Sequence, residues 1–287
     1  MKKILIYGLS SILVLYFVIS GYFAFRREIP RSAVGELQSV GFEVTPNYKG
    51  IVDMTLLMAG GSLNLSAENS NTTSVSVKTN YQDWLPIETV TDTGYRIEQP
   101  VRPSNNWQPV DYITNDWVIS TGSTPIDLKI DARIWDGELD LSGINLTGFQ
   151  LADLDSHSVI RFTQPTTTFD TMIIDSLRSN MKVYGLLNSG ARNAILKVPF
   201  GNYLLDFSGD LQEDMSAVIT TGLGKTRIEI SDTVNVRITY TGQTRKSTIE
   251  GDWIRLEGTT YVRTNPGNLL DIVVNSDQGD LEVVIVN

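Results

Sequence analysis

The chain has 287 residues, 41% hydrophobic and 20% charged, a composition that supports packed cores and excludes wholesale disorder. One histidine and no cysteine exclude disulfides, a cysteine nucleophile and zinc sites built from nitrogen and sulfur. All 33 acidic residues follow Arg27 but only 19 of the basic ones do, so that part carries a net charge of −14 and repels nucleic acid.

Ile4 to Phe25 is 22 residues without a charge, bracketed by Lys2-Lys3 and Arg26-Arg27. As a helix it would span roughly 33 Å, against a hydrocarbon core of about 30 Å. A cleaved signal peptide has a shorter apolar region and a small-x-small cleavage site, which Gly21-Tyr22-Phe23-Ala24-Phe25 lacks. Residues 1–27 therefore read as a retained membrane anchor, with the basic N-terminal tail inside and the rest exported. Residues 28–47 read as a linker with room for one short helix, weakened by Gly35 and Gly41.

A β region with an irregular aromatic loop is expected over 48–120. Ile51-Val52-Asp53-Met54-Thr55-Leu56-Leu57, Ser62-Leu63-Asn64-Leu65-Ser66 and Ser74-Val75-Ser76-Val77-Lys78 read as strands, the last alternating with period two. Tyr81 to Trp117 is irregular, with four prolines around one short strand, Tyr95-Arg96-Ile97-Glu98. Aromatics concentrate there, and long loops are enriched in function. Trp84, Trp107 and Tyr112 are the candidate binding surface, because aromatic platforms stack on sugar rings or anchor protein interfaces. The competing role is a plug for the end of the fold, which is expected of Trp117.

Residues 121–287 repeat. Ile130, Leu151, Ile173, Ile195, Ala217 and Ile238 recur at spacings of 21, 22, 22, 22 and 21, and Leu139, Ile160, Val183, Leu205 and Ile228 form a second series. Small or polar residues precede most members of the second series, as at Asp136-Gly137, Ser179-Asn180 and Gly201-Asn202. A unit of about 22 residues with two short strands and two turns predicts an all-β fold, a β-solenoid whose units bury their apolar faces against neighbours. Both series are expected to point inward. The polar stretch from Thr241 through Lys246-Ser247-Thr248 reads as a loop, and the closing strands, 269–274 and 281–286, read with segment 81–117 as covers for the ends.

These blocks resemble the bacterial "toast rack" family of envelope proteins, related to the C-terminal β-solenoid domain of LiaF-type cell-envelope stress regulators. The resemblance rests on Val52-Asp53-Met54-Thr55-Leu56 with Gly60-Gly61-Ser62-Leu63-Asn64-Leu65, on Asn115-Asp116-Trp117, on Pro125-Ile126-Asp127-Leu128 and Gly137-Glu138-Leu139-Asp140-Leu141-Ser142-Gly143, and on the late glycine turns at Gly222-Leu223-Gly224 and Gln278-Gly279-Asp280. Ser156-His157-Ser158 and Ser189-Gly190-Ala191 depart from it where a fuller glycine turn belongs. It covers about residues 48–287 and implies a sensory or regulatory β-solenoid at the membrane, with no catalytic residue to carry over.

Chemistry is sparse. His157 lies in a polar turn, and no G-x-S-x-G elbow accompanies it. Asp136, Glu138 and Asp140 alternate along one strand at about 6–7 Å steps, a spacing that glycosidases use but that any solvated strand shows. Asp127, Asp131 and Asp136, Asp153 and Asp155, or Asp277 and Asp280 have the oxygen chemistry calcium takes, without an EF-hand or β-roll motif. The expectation is a membrane-anchored extracytoplasmic protein, not an enzyme and without a cofactor, that binds, senses or scaffolds at the cell envelope. Its partners would be the membrane through Ile4–Phe25 and an envelope protein or glycan. A polysaccharide-active β-helix enzyme and a calcium-stabilised adhesin are the alternatives.

Overall fold

Strands dominate because period-two alternation of apolar and polar residues runs through the chain, and each strand buries one of its faces. The structure, a computed structural model, describes residues 33–44, 50–100 and 112–286. The apolar stretch Ile4–Phe25 and Trp107 lie outside the described residues. Among the described residues no helix is long and apolar enough to cross a membrane.

In chain order the strands are β1 (Val34–Val44), β2 (Val52–Met58), β3 (Gly61–Ala67), β4 (Thr73–Tyr81), β5 (Ile87–Val90), β6 (Gly94–Glu98) and β7 (Asn115–Thr121). Five long strands follow: β8 (Ile126–Asp140), β9 (Leu146–Arg161), β10 (Phe169–Tyr184), β11 (Ala191–Phe207) and β12 (Met215–Ser231). The chain closes with β13 (Asn235–Gln243), β14 (Lys246–Glu250), β15 (Ile254–Arg255), β16 (Thr260–Arg263), β17 (Leu269–Asp277) and β18 (Asp280–Val286). A 3-10 turn, Gln82–Trp84, follows β4, and another, Leu186–Ser189, joins β10 to β11.

Each long strand is one rung of a solenoid-like stack and turns a corner near its middle. The first half of β8 pairs with β2 and its second half with β3, and β12 meets β17 and β18 in the same way. The small residues expected as turns before the second series are therefore corners within continuous strands. Gly201 and Gly224 stand in register at this corner with φ of 124° and 132°. A Cβ on Gly201 would lie 1.9 Å from the Ser179 carbonyl oxygen, and one on Gly224 1.9 Å from that of Gly201. Only glycine fits both the backbone angle and the rung spacing there.

The second series stacks inward as expected. Ile119, Leu65, Leu139, Ile160, Val183, Leu205, Ile228, Val283 and Ile249 face one another in successive rungs. The first series needs correction at two members. The column of Leu151 continues through Ile174, Leu196 and Ile219, while Ile173 and Ile195 point outward and are half-buried. In Met172-Ile173-Ile174 and Ala194-Ile195-Leu196 both strand faces are apolar, so hydrophobicity does not fix the register.

Rung order departs from chain order at both ends. The pair β2 and β3 lies between β6–β7 and β8, and the pair β17 and β18 lies between β12 and β13–β14. The closing strands are thus an interior rung and cover no end. β14 is formed by the stretch expected as a loop, and β1, within the segment expected as linker with a short helix, pairs antiparallel with β4. Antiparallel strands close the stack where parallel rungs stop: β5 on β6, β1 and β4 beside β7, and β16 with β15 beyond β13. Inward side chains of both sheets form one continuous core from Met54 to Val283.

Candidate binding surface

The aromatic segment is a lid. Trp84, expected on an exposed surface, is 1% exposed and packs against Ala59 and Ile134, with Tyr81 edge-on at 5.4 Å between ring centroids. A buried amide pair fastens this lid to the rung below. Gln99 Nε2 donates to the Trp84 carbonyl at 2.6 Å and to Asn115 Oδ1 at 2.8 Å, its Oε1 accepts from the Ala59 N–H at 2.6 Å, and Asn115 Nδ2 donates to the Gly60 carbonyl. Trp117 is fully buried, in the column of Leu63. Tyr112 is half-buried and its carbonyl accepts from Asn80 Nδ2. The structure therefore does not bring Trp84 and Tyr112 together as one exposed platform.

A buried carboxylate was not anticipated. Asp153, grouped with Asp155 as an outward calcium candidate, points inward and is 5% exposed. Its oxygens accept from Ser176 Oγ at 2.7 Å, Ser179 Oγ at 3.0 Å and Trp135 Nε1 at 3.2 Å. Ser156 and Ser179 occupy the corner column that Gly201 and Gly224 continue, which explains why serines replace glycines there. Tyr203 closes this network, accepting the Ser179 N–H at 3.1 Å and donating to the Phe200 carbonyl at 2.8 Å. Burial pushes the Asp153 carboxyl above its ordinary range, against the lowering effect of the four side-chain donors around it. The network is sealed in the core and offers no approach to a substrate.

Several of the other acidic residues have partners. Asp155 is bonded by Arg178 at 2.7 Å, Asp175 by Lys197 at 3.1 Å, Asp280 by Arg245 at 2.9 Å and Glu138 by Arg161. Asp140 accepts from the Ser142 N–H. Among the described residues no group of three or more acidic or histidine side chains is placed to hold a metal ion.

What remains on the exterior is a ladder along the corner. Asp116, Ser62, Asp136, His157, Asn180, Asn202, Lys225, Asp280 and Lys246 occupy equivalent positions on successive rungs. Ser62 donates to Asp116 at 2.7 Å, His157 Nδ1 lies 3.6 Å from Asp136, Asn180 Nδ2 lies 3.1 Å from His157 Nε2, and Asn202 Nδ2 donates to Asn180 Oδ1 at 2.9 Å. Beside the ladder on the second sheet lies a trough of about 290 Å³, lined by Asn180, Lys182, Asn202, Leu204, Lys225 and Arg227 among others. On its other side Phe200 and Leu223, in register on adjacent rungs, are 42% and 53% exposed. Every ladder residue lies three positions before a member of the inward column that contains Leu139, so the same period carried this signal in the sequence.

A second concavity, about 860 Å³, lies where β13 and β17 meet the β15–β16 hairpin. Both of its arginines and both of its threonines are engaged. Arg237 is paired with Asp271, Arg255 donates to the Gly258 carbonyl at 3.0 Å, and the Thr239 and Thr260 hydroxyls lie 3.3 Å apart.

Residues 34–153 match the family described as the N-terminal domain of toast_rack. A candidate cell-adhesion protein from Clostridium sporogenes is similar with a TM-score of 0.46 at 18% identity, over 86% of this chain and 99% of its own. A candidate adhesin from Bacteroides fragilis gives 0.35 at 8% identity over 88% and 99%, and one from Parabacteroides distasonis 0.33 at 12% over 88% and 98%. No curated protein sequence matches the chain. The matched segment takes in the lid, the rungs below it, β8 and the first half of β9, so residues 34–153 are similar to the N-terminal domain of toast_rack.

Proposed function

We propose that the chain is a non-enzymatic binding protein of the bacterial cell envelope, anchored through Ile4–Phe25 with its rungs on the extracytoplasmic side. One observation carries the binding role. Charges on the outward faces are mostly paired along the stack, but the corner of β10 to β12 leaves a continuous strip of amides, an ammonium group and apolar side chains open to solvent. In keeping with a non-enzymatic role, Asp153, whose carboxyl burial pushes up, is enclosed in the core and bonded by Ser176 and Ser179. The uncharged span and its basic flanks support the anchor. The toast_rack domain is in keeping with the envelope.

The topology is tested on the full chain carrying a C-terminal tag in bacterial protoplasts. Added protease is expected to remove the tag and the rungs while a fragment containing Ile4–Phe25 stays with the membrane. A tag that resists protease until the cells are lysed overturns the extracytoplasmic placement, and a mature chain beginning near Ala24 overturns the anchor.

A further inference from the structure

The strip on β10 to β12 has a chemistry specific enough to name a ligand class, given the binding role proposed above. We propose that it binds a linear acidic polysaccharide, a chain of carboxylated sugars lying across the three rungs.

The ligand has to be extended, because the contacts recur rung by rung. Rungs are about 4.8 Å apart, so Lys182 on β10 and Arg227 on β12 are separated by about 10 Å along the stack. It has to be rich in hydroxyls. Asn180 and Asn202 are exposed, and after their ladder bonds each amide keeps an N–H for a ligand, while Asn202 keeps its oxygen as an acceptor. A hydroxyl satisfies either. The ligand has to carry negative charge. Lys182 makes no ion pair among the described residues, while Lys225 and Arg227 beside it in the trough are paired with Glu282 and Glu229, which leaves one uncompensated positive charge at this site in a chain of net charge −10. Lys225 and Arg227 are both steered by Glu282, so Lys182 is the cation left to meet a carboxylate. Apolar faces have to be present too. Leu204 sits in the trough, and Phe200 and Leu223 flank the ladder, where a sugar ring can lay its C–H face against them.

Other polymers fit less well. A peptide adding a strand needs free backbone groups, and β11 is hydrogen-bonded to neighbours on both sides. Duplex nucleic acid carries a charge about every 1.7 Å, far more than the single unpaired cation of the trough can meet.

The test titrates the full chain in non-ionic detergent with oligogalacturonate, with maltohexaose as the neutral control and monomeric galacturonate as the small-anion control, read by calorimetry. Oligogalacturonate is expected to bind and the two controls to bind at least tenfold more weakly. Lys182→Glu is expected to weaken binding at least tenfold, and Asn202→Ala and Phe200→Ala several-fold each. Lys197→Glu, on the other sheet, is expected to leave it unchanged. Lys182→Gln gives the same readout if the charge reversal disturbs folding. Absence of oligogalacturonate binding, equal binding of maltohexaose, or wild-type affinity in both Lys182 variants overturns the proposal. Because the protease experiment does not depend on the ligand, failure here leaves the envelope placement standing.

Discussion

A carboxylate enclosed in an apolar stack is costly unless donors surround it, and Asp153 is held by Trp135, Ser176 and Ser179. Desolvation nevertheless dominates and raises its pKa in the folded chain. In the unfolded chain the same group titrates near the ordinary aspartate value of about 3.9. The folded state then holds more protons than the unfolded state between those two values. Its contribution to stability is therefore full below the unfolded pKa and is lost as pH rises through the folded one. Asp153→Asn keeps an acceptor for the serines and removes the titration. The wild type is expected to lose melting temperature relative to Asp153→Asn as pH rises from 4 toward neutrality. Thermal melts of both chains across that range check it, and a difference independent of pH would mean the carboxylate keeps an ordinary pKa. Asp153→Ala is the harsher change, since it removes the acceptor of the buried Trp135 Nε1, and a buried donor left unpaired costs about 1–3 kcal/mol.

At the scale of a strand, the question is which parity faces the core. The column containing Leu139 was legible, because its members alternate with polar or outward residues, and all but the partly buried Ile249 lie in the core. Ile173 and Ile195 were not, because each has an apolar neighbour on both sides. The deciding signal lay two residues away: Thr171 and Asp175 flank Ile173, and Asn193 and Lys197 flank Ile195, all on the same parity and all outward. Polar residues at i±2 were the better guide where apolar ones gave no contrast. The burial of Trp84 was not legible for a related reason. Prolines and polar residues around Trp84 resemble an exposed loop, and nothing local announces that Gln99, 15 residues on, holds its carbonyl and is itself bonded to Asn115 a further 16 residues along. The register makes a sharp prediction. Leu196→Asp places a charge among Ile174 and Ile219 and is expected to cost several kcal/mol, enough to abolish the cooperative melt. Ile195→Asp, one position along, is expected to change the melting temperature by only a few degrees. Equal damage from the two would show that the outward face of this sheet is also a packed interface.

Taken as a whole, the molecule is a one-dimensional stack in which each rung touches only its neighbours, so the order of the rungs decides what a truncation removes. That order does not follow the chain. β13 pairs with β17 and β16 and makes no ladder with β12, so the C-terminal strands β17 and β18 are what joins residues 235–263 to the rest. The join is apolar and polar at once: Ile272 lies between Ala217 and Ile238, and Asp271 pairs with Arg237. Placing the last strands inside the stack also protects them from the fraying that terminal strands suffer, since both edges are paired. Deleting residues 269–287 is therefore expected to do more than trim an end. Hydrogen exchange should rise throughout 232–268, while β8 to β11, whose neighbours are untouched, keep their protection. Loss of the β2–β3 rung at the other end is expected to spread in the same way through β4 to β7, because that pair too is inserted out of chain order between them and β8. Retained protection across 235–243 in the shortened chain would mean that β13 can close directly onto β12, and that the inserted rung is an addition to the stack and not the link that holds its far end.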